Sequence, residues 1–147
     1  MSKIELFTIG FTKKRAEEFF SILRKAGVTV VFDIRLNNNS QLAGFAKRDD
    51  LAYFLKALCN CGYKHLPLLA PTKEILKDYQ KRQIDWPTYE RRFNKLISER
   101  AIENTIPANN LNGACLLCSE ATAKHCHRRL VAEYLKTQYP DVQITHL

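Results

Sequence analysis

Positions 118 to 129 hold two cysteines, a glutamate, two histidines and two arginines: Cys118, Glu120, His125, Cys126, His127, Arg128 and Arg129. Each type can do chemistry. A cysteine at a helix start with basic neighbours has a lowered pKa and more thiolate, which makes Cys126 a candidate nucleophile, ahead of Cys118. Glu120 and His127 are candidate proton carriers. Arg128 or Arg129 can grip a phosphate or carboxylate with two parallel N–H donors. Plainer roles fit the same residues: Cys126 as a small residue under a first helical turn, Glu120 as a carboxylate favoured by the helix dipole.

Two other places carry polar groups at the ends of apolar runs. Asp33 and Arg35 follow the run VTVVFDI, where Asp33 is a candidate acid or base and Arg35 a candidate anion ligand. The two can equally pair with each other and keep each other charged. Gly10 and Thr12 follow the run KIELFTI and are candidate ligand-binding residues, as is Cys118.

Spacing excludes several chemistries. Gly10-Phe11-Thr12-Lys13-Lys14-Arg15 has one glycine, so the dinucleotide fingerprint is absent, and no P-loop is present. In a Cys-x5-Arg phosphatase pattern the arginine position after Cys118 holds Lys124, and after Cys126 it holds Ala132. Cys115-x-x-Cys118 lies inside an apolar run rather than at a helix start, which argues against a thioredoxin-like dithiol. Residues 125, 126 and 127 are adjacent and do not readily converge on one ion, and no second cysteine pair stands at structural-zinc spacing. No metal and no cofactor are expected.

These groups need elements to position them. Residues 3–9 read as a first strand ending at Gly10. Ala16, Phe19, Phe20 and Leu23 recur at i, i+3, i+4 and i+7, a helix closed by Gly27. Thr12 is the natural N-cap, but Lys13, Lys14 and Arg15 would then oppose the helix dipole. Either the helix starts later, near Ala16, or that end faces an anion. Residues 28–34 are nearly continuous apolar, as in a strand buried on both faces. The polar stretch 36–46 is long for a strand-to-helix turn, and such loops often cover ligands. A second helix carries Leu51, Phe54, Leu55 and Leu58 and ends at Gly62. A third strand spans 63–66. Thr72 and Asp85 each start a helix, the second with Tyr89, Phe93, Leu96 and Ile97 on its apolar face. Strand four spans 114–118. A helix from near residues 123–125 carries His127, Leu130, Val131, Tyr134 and Leu135. An edge strand holds Val142, Ile144 and His146.

The order βαβαβααβαβ predicts an α/β fold with three layers, α/β/α, a mostly parallel five-stranded sheet and a Rossmann-like half. The expected strand order is 3-2-1-4-5. It puts strands one and four side by side at a switch point, where ligands bind at the carboxyl ends of strands. Gly10 to Thr12 would form one lip and the 118–129 turn the other.

Composition bounds the reading. At 147 residues the chain reads as a single domain over 1–147. The formal net charge of +8 makes anionic partners plausible, small phosphorylated ligands and nucleic acid alike. No apolar stretch approaches a membrane span, and no export signal opens the chain, so a cytoplasmic protein with no membrane contact is expected. An odd count of five cysteines in that setting argues for reduced thiols.

Several of these residues resemble the DUF488 family, bacterial and archaeal proteins of unknown function. Thr8-Ile9-Gly10 resembles its opening Thr-Ile-Gly, with Phe11-Thr12 in place of the usual His-Ser. Asp33-Ile34-Arg35 is similar to its Asp-Val-Arg, and Tyr63-Lys64-His65-Leu66-Pro67 to its Tyr-x-His-Leu-Pro. Cys118-Ser119-Glu120 with Cys126-His127-Arg128 resembles its Cys-x-Glu and Cys-His-Arg signature. Leu68 and Ala70-Pro71 depart from its glutamate and Gly-Gly. The resemblance implies an α/β fold but no reaction. Where the family's histidine has a chemical role, Phe11 implies either an altered member or one that uses His65 or His127 instead.

Two functions follow as expectations. One is an enzyme, hydrolase- or transferase-like, acting on a nucleotide, nucleic-acid component or other phosphorylated ligand. In it Arg35 and Arg128 hold the anion, Glu120 or Asp33 is base or nucleophile, and Cys126 or His127 assists. The other is a non-catalytic binding or regulatory module for nucleic acid, in which the charged cluster is structural.

Overall fold

The computed structural model describes residues 3–38, 44–120 and 122–147. Five parallel strands form one sheet: β1 (Ile4–Gly10), β2 (Val30–Asp33), β3 (Gly62–His65), β4 (Ala114–Cys118) and β5 (Val142–His146). Five helices connect them: α1 (Ala16–Ala26), α2 (Arg48–Cys59), α3 (Lys73–Gln80), α4 (Trp86–Glu99) and α5 (His127–Gln138).

Alternation along the strands splits the core in two. Phe7, Ile9, Val31, Cys115 and Leu117 face α1 and α2, where Phe19, Phe20, Leu23, Leu51 and Leu55 complete one apolar layer. Leu6, Phe32, Ala114 and Leu116 face the opposite side, packed by Ile75 of α3, Phe93 and Ile97 of α4, and Leu130, Val131 and Leu135 of α5. The result is the expected three-layer α/β/α arrangement.

The strand order is 3-2-4-1-5, not 3-2-1-4-5. Strands β1 and β4 are neighbours as expected, but β4 also lies against β2. Runs β1, β2 and β4 are all strongly apolar, so their patterns do not rank them within the sheet. Close contacts at the entry to β4 decide it. Gly113 stands at φ 82° and its N–H donates to the Glu5 carbonyl at 2.8 Å. Its own carbonyl accepts from Thr29 N at 2.9 Å. The start of β4 is thus stitched to both β1 and the approach to β2. A Cβ at Gly113 would lie 2.8 Å from the Thr29 hydroxyl.

Local signals set most boundaries. Thr72 Oγ1 accepts from Ile75 N at 3.1 Å, and Asp85 Oδ1 from Thr88 N at 2.9 Å, so both predicted caps are in place. Helix α1 begins at Ala16, the later of the two starts the sequence allows, with Arg15 rather than Thr12 at the N-cap position. Two other boundaries differ. Asn60, at φ 50°, ends α2, since asparagine tolerates the left-handed region, and Gly62 becomes the first residue of β3. Helix α5 begins at His127, later than expected, with Cys126 as its N-cap. The middle of the loop expected to cover a ligand, residues 39–43, lies outside the described residues.

Candidate functional site

The parallel register lines up four polar strand ends. Gly10 pairs with Cys118, Asp33 with Leu117, and Asp33 with His65 on the other side. Just beyond them opens a cavity of about 1050 Å³. Of the predicted site residues, Arg35, Cys118, Glu120, Cys126 and His127 line it. Gly10, Thr12, Asp33 and Arg128 are outside that wall and act through the groups they hold.

Asp33 is fully buried and grips Arg35. Arg35 Nε and Nη2 donate to the two Asp33 carboxylate oxygens at 2.8 and 2.7 Å. The Tyr63 hydroxyl donates to Oδ2 at 2.6 Å, and burial together with that carboxylate pushes the phenol's pKa up. Arg35 Nη2 also donates to the Ala46 carbonyl at 2.7 Å. The guanidinium lies over the Phe11 ring, 5.3 Å from its centroid. Its remaining nitrogen, Nη1, is buried and has no hydrogen-bond partner among the described residues. An orphaned charged donor of this kind carries a desolvation cost until an acceptor reaches it.

Arg128 is the strap of the 118–129 turn and is fully buried. Its Nη1 donates to the Glu120 carbonyl at 2.6 Å and to Cys118 Sγ at 3.1 Å, with Cys126 Sγ at 3.7 Å. Its Nε donates to Thr8 Oγ1 at 3.2 Å, and Thr8 Oγ1 shares a second hydrogen bond with His146 Nδ1 at 2.6 Å. The turn crosses β1 so closely that a Cβ at Gly10 would collide with the Glu120 carbonyl and stand 2.8 Å from Arg128 Nη1. Thr12 N donates to the Ser119 carbonyl at 3.0 Å. Arg128 thus directs Nε and Nη1 inside the protein, onto a hydroxyl, a carbonyl and two sulfurs, with no carboxylate bound among the described residues. The Glu120 side chain is exposed at the cavity.

Cys118 and Cys126 meet sulfur to sulfur, with Cα atoms 7.7 Å apart, beyond the roughly 4.4–6.8 Å usual for a disulfide. The fold brings the strand end and the helix N-cap together, which separation along the chain does not reveal. Cys59, Cys61 and Cys115 are free. Burial pushes the Cys61 thiol up to about 11 and the Cys115 thiol higher, so neither is a nucleophile at neutral pH.

His127 donates Nε2–H to the Ile34 carbonyl at 2.7 Å, which leaves its Nδ1 a lone pair. Its ring packs edge-on to Phe93. Desolvation lowers its pKa to about 4, so the imidazole is neutral at pH 7. His65 donates to the Arg35 carbonyl at 2.8 Å and is not part of the cavity wall. Of the two histidines that could replace the one missing at Phe11, only His127 meets the cavity.

The sequence reading missed the other wall. Phe93, Tyr89, Trp86 and His125 form a column of stacked rings, with successive centroids 6.1, 5.0 and 4.8 Å apart. Tyr79 leans on it, and Arg129 lies over the Trp86 ring. Tyr79, Trp86, Tyr89 and His125 all line the cavity. Helical periodicity placed Tyr89 and Phe93 on one core face. What it did not show is that the column runs out of the core and into the cleft.

A parallel α/β sheet with helices on both faces and a cavity at the carboxyl ends of its inner strands defines a doubly wound α/β protein. The chain belongs to the family described as domain of unknown function DUF488, whose model matches residues 15–135. No curated protein and no solved structure matched the chain.

Proposed function

We propose that residues 1–147 act as one cytoplasmic domain that binds a small anionic ligand in this cavity. The ligand class is one with a planar ring and a phosphate or carboxylate, such as a nucleotide or nucleic-acid component. The observation that carries the reading is Arg35, which lines the cavity and whose buried Nη1 has no partner among the described residues. A ligand oxygen would satisfy it. The ring column ending at exposed His125 supports the planar part, since aromatic stacking accepts any base. Asp33 cancels the Arg35 charge, so Arg35 offers a directed donor more than a net field. A hydrolytic or transfer step would fall to Cys126, His127 and Glu120, the candidate reactive groups on the wall.

The alternative, a nucleic-acid-binding module with a structural charged cluster, draws support from the closed Asp33–Arg35 pair and from the internal partners of Arg128.

Trp86 is the only tryptophan and lines the cavity, so its fluorescence reports on occupancy directly. Titration with nucleoside monophosphates, sugar phosphates and inorganic phosphate should give saturable quenching by the nucleotides. Arg35→Lys keeps the charge but deletes the free donor, and should weaken binding about tenfold or more, the effect of one charge-assisted hydrogen bond. Absence of quenching by every ligand tried, confirmed by calorimetry, would sink the reading.

A further inference from the structure

The reduced turn also assembles a set of donors that the chain order disguises. One ligand atom each from Cys118, Cys126 and His127 lies within 4.8 Å of the others. We propose that the reduced pair, with His127, binds a thiophilic d10 cation, zinc(II) being the occupant the donor set fits. This inference stands apart from the anionic-ligand reading and does not require it.

Three observations support it. First, the donor chemistry is right. Two thiolates and one imidazole are a known catalytic zinc set, completed by a fourth ligand from solution. All three residues line the cavity, so the fourth position faces solvent. Second, the backbone leaves room. In a tetrahedral site with Zn–S near 2.3 Å the sulfurs stand about 3.8 Å apart. The Cα separation of 7.7 Å exceeds the roughly 4.4–6.8 Å usual for disulfides, so strand end and helix cap need not approach for the sulfurs to part around an ion. Third, the outer shell is built. The Ile34 carbonyl takes Nε2–H of His127 and orients the ring with Nδ1 free, the arrangement common behind metal-bound histidines. Arg128 donates to both sulfurs and has no carboxylate of its own among the described residues, so it matches thiolates rather than thiols. Two thiolates neutralise the dication, and the guanidinium then faces a neutral centre.

Of residues 125 to 127, only Cys126 and His127 belong to this donor set: His125 stacks on Trp86, and Cys118 supplies the third donor from the end of β4.

The test uses the full chain, reduced, stripped with a chelator and kept free of oxygen. Zinc added against a chromophoric competitor should bind at one equivalent per chain. Cobalt(II) in its place should give the intense d–d bands of a tetrahedral site with sulfur-to-metal charge transfer. Cys118→Ser and Cys126→Ser should each weaken zinc binding by more than about 100-fold, the upper end for loss of an outer-shell partner alone. His127→Ala should shift the cobalt spectrum, and Cys59→Ser should change nothing. The wild-type cobalt spectrum needs no variant to fold. Its absence in fully reduced protein, or equal binding by Cys118→Ser, would overturn the proposal.

Discussion

Asp33 has no exposed surface and meets three groups at once: two nitrogens of Arg35, the Arg35 backbone N–H at 3.1 Å and the Tyr63 hydroxyl. A buried ion pair adds little over an apolar equivalent, but breaking one side strands the other charge. Asp33→Ala should therefore lower stability by about 3–5 kcal/mol in urea unfolding. Tyr63→Phe removes one hydrogen bond to a carboxylate and should lose about 1.5–3 kcal/mol. If Asp33→Ala fell no further than Tyr63→Phe, Asp33 would not anchor this cluster. Asp-Ile-Arg spacing already allowed Asp33 and Arg35 to pair. That Tyr63, 30 residues on, closes the same carboxylate depends on the β2–β3 register.

At the scale of elements, the turn from β4 into α5 is held by its crossing over β1. Gly10 is needed because another backbone lies where its side chain would be, not because of an unusual dihedral angle. Gly10→Ala must push the Glu120 carbonyl off Arg128 and carry Cys118 and Cys126 with it. The expected loss is about 1–3 kcal/mol, as for an overpacked core, together with altered Trp86 quenching by nucleotide. An unchanged melting temperature and unchanged quenching would show that the turn does not depend on this contact. A lone glycine after a strand signals a tight approach, but the sequence does not say to what.

For the whole molecule, the question is whether a net charge of +8 serves a surface or a cavity. A small-ligand cleft engages one or two phosphates. A single-strand-binding surface loses about 0.7 in log affinity per decade of salt for each phosphate it contacts. Oligonucleotide affinity should therefore fall with a slope no steeper than about −1.5, measured by anisotropy across a salt series. A slope of about −3 or beyond would move the function from the cleft to an extended basic face. The family relationship does not choose between these, since it carries a fold and no reaction.

The residue order by itself determined the α/β alternation, both side-chain helix caps, the bounds of β4 and the residue types at the strand ends. Those follow from local periodicity, capping and burial pattern, which act over a few residues. Tertiary structure decided what no local signal encodes. It placed β4 between β2 and β1, turned Arg128 inward, and left Arg35 with one donor unpartnered among the described residues. It also set Cys118 against Cys126 and ran the Trp86 column into the cleft. Each depends on close approach between segments far apart in the chain, and sequence patterns of burial are the same for either strand order.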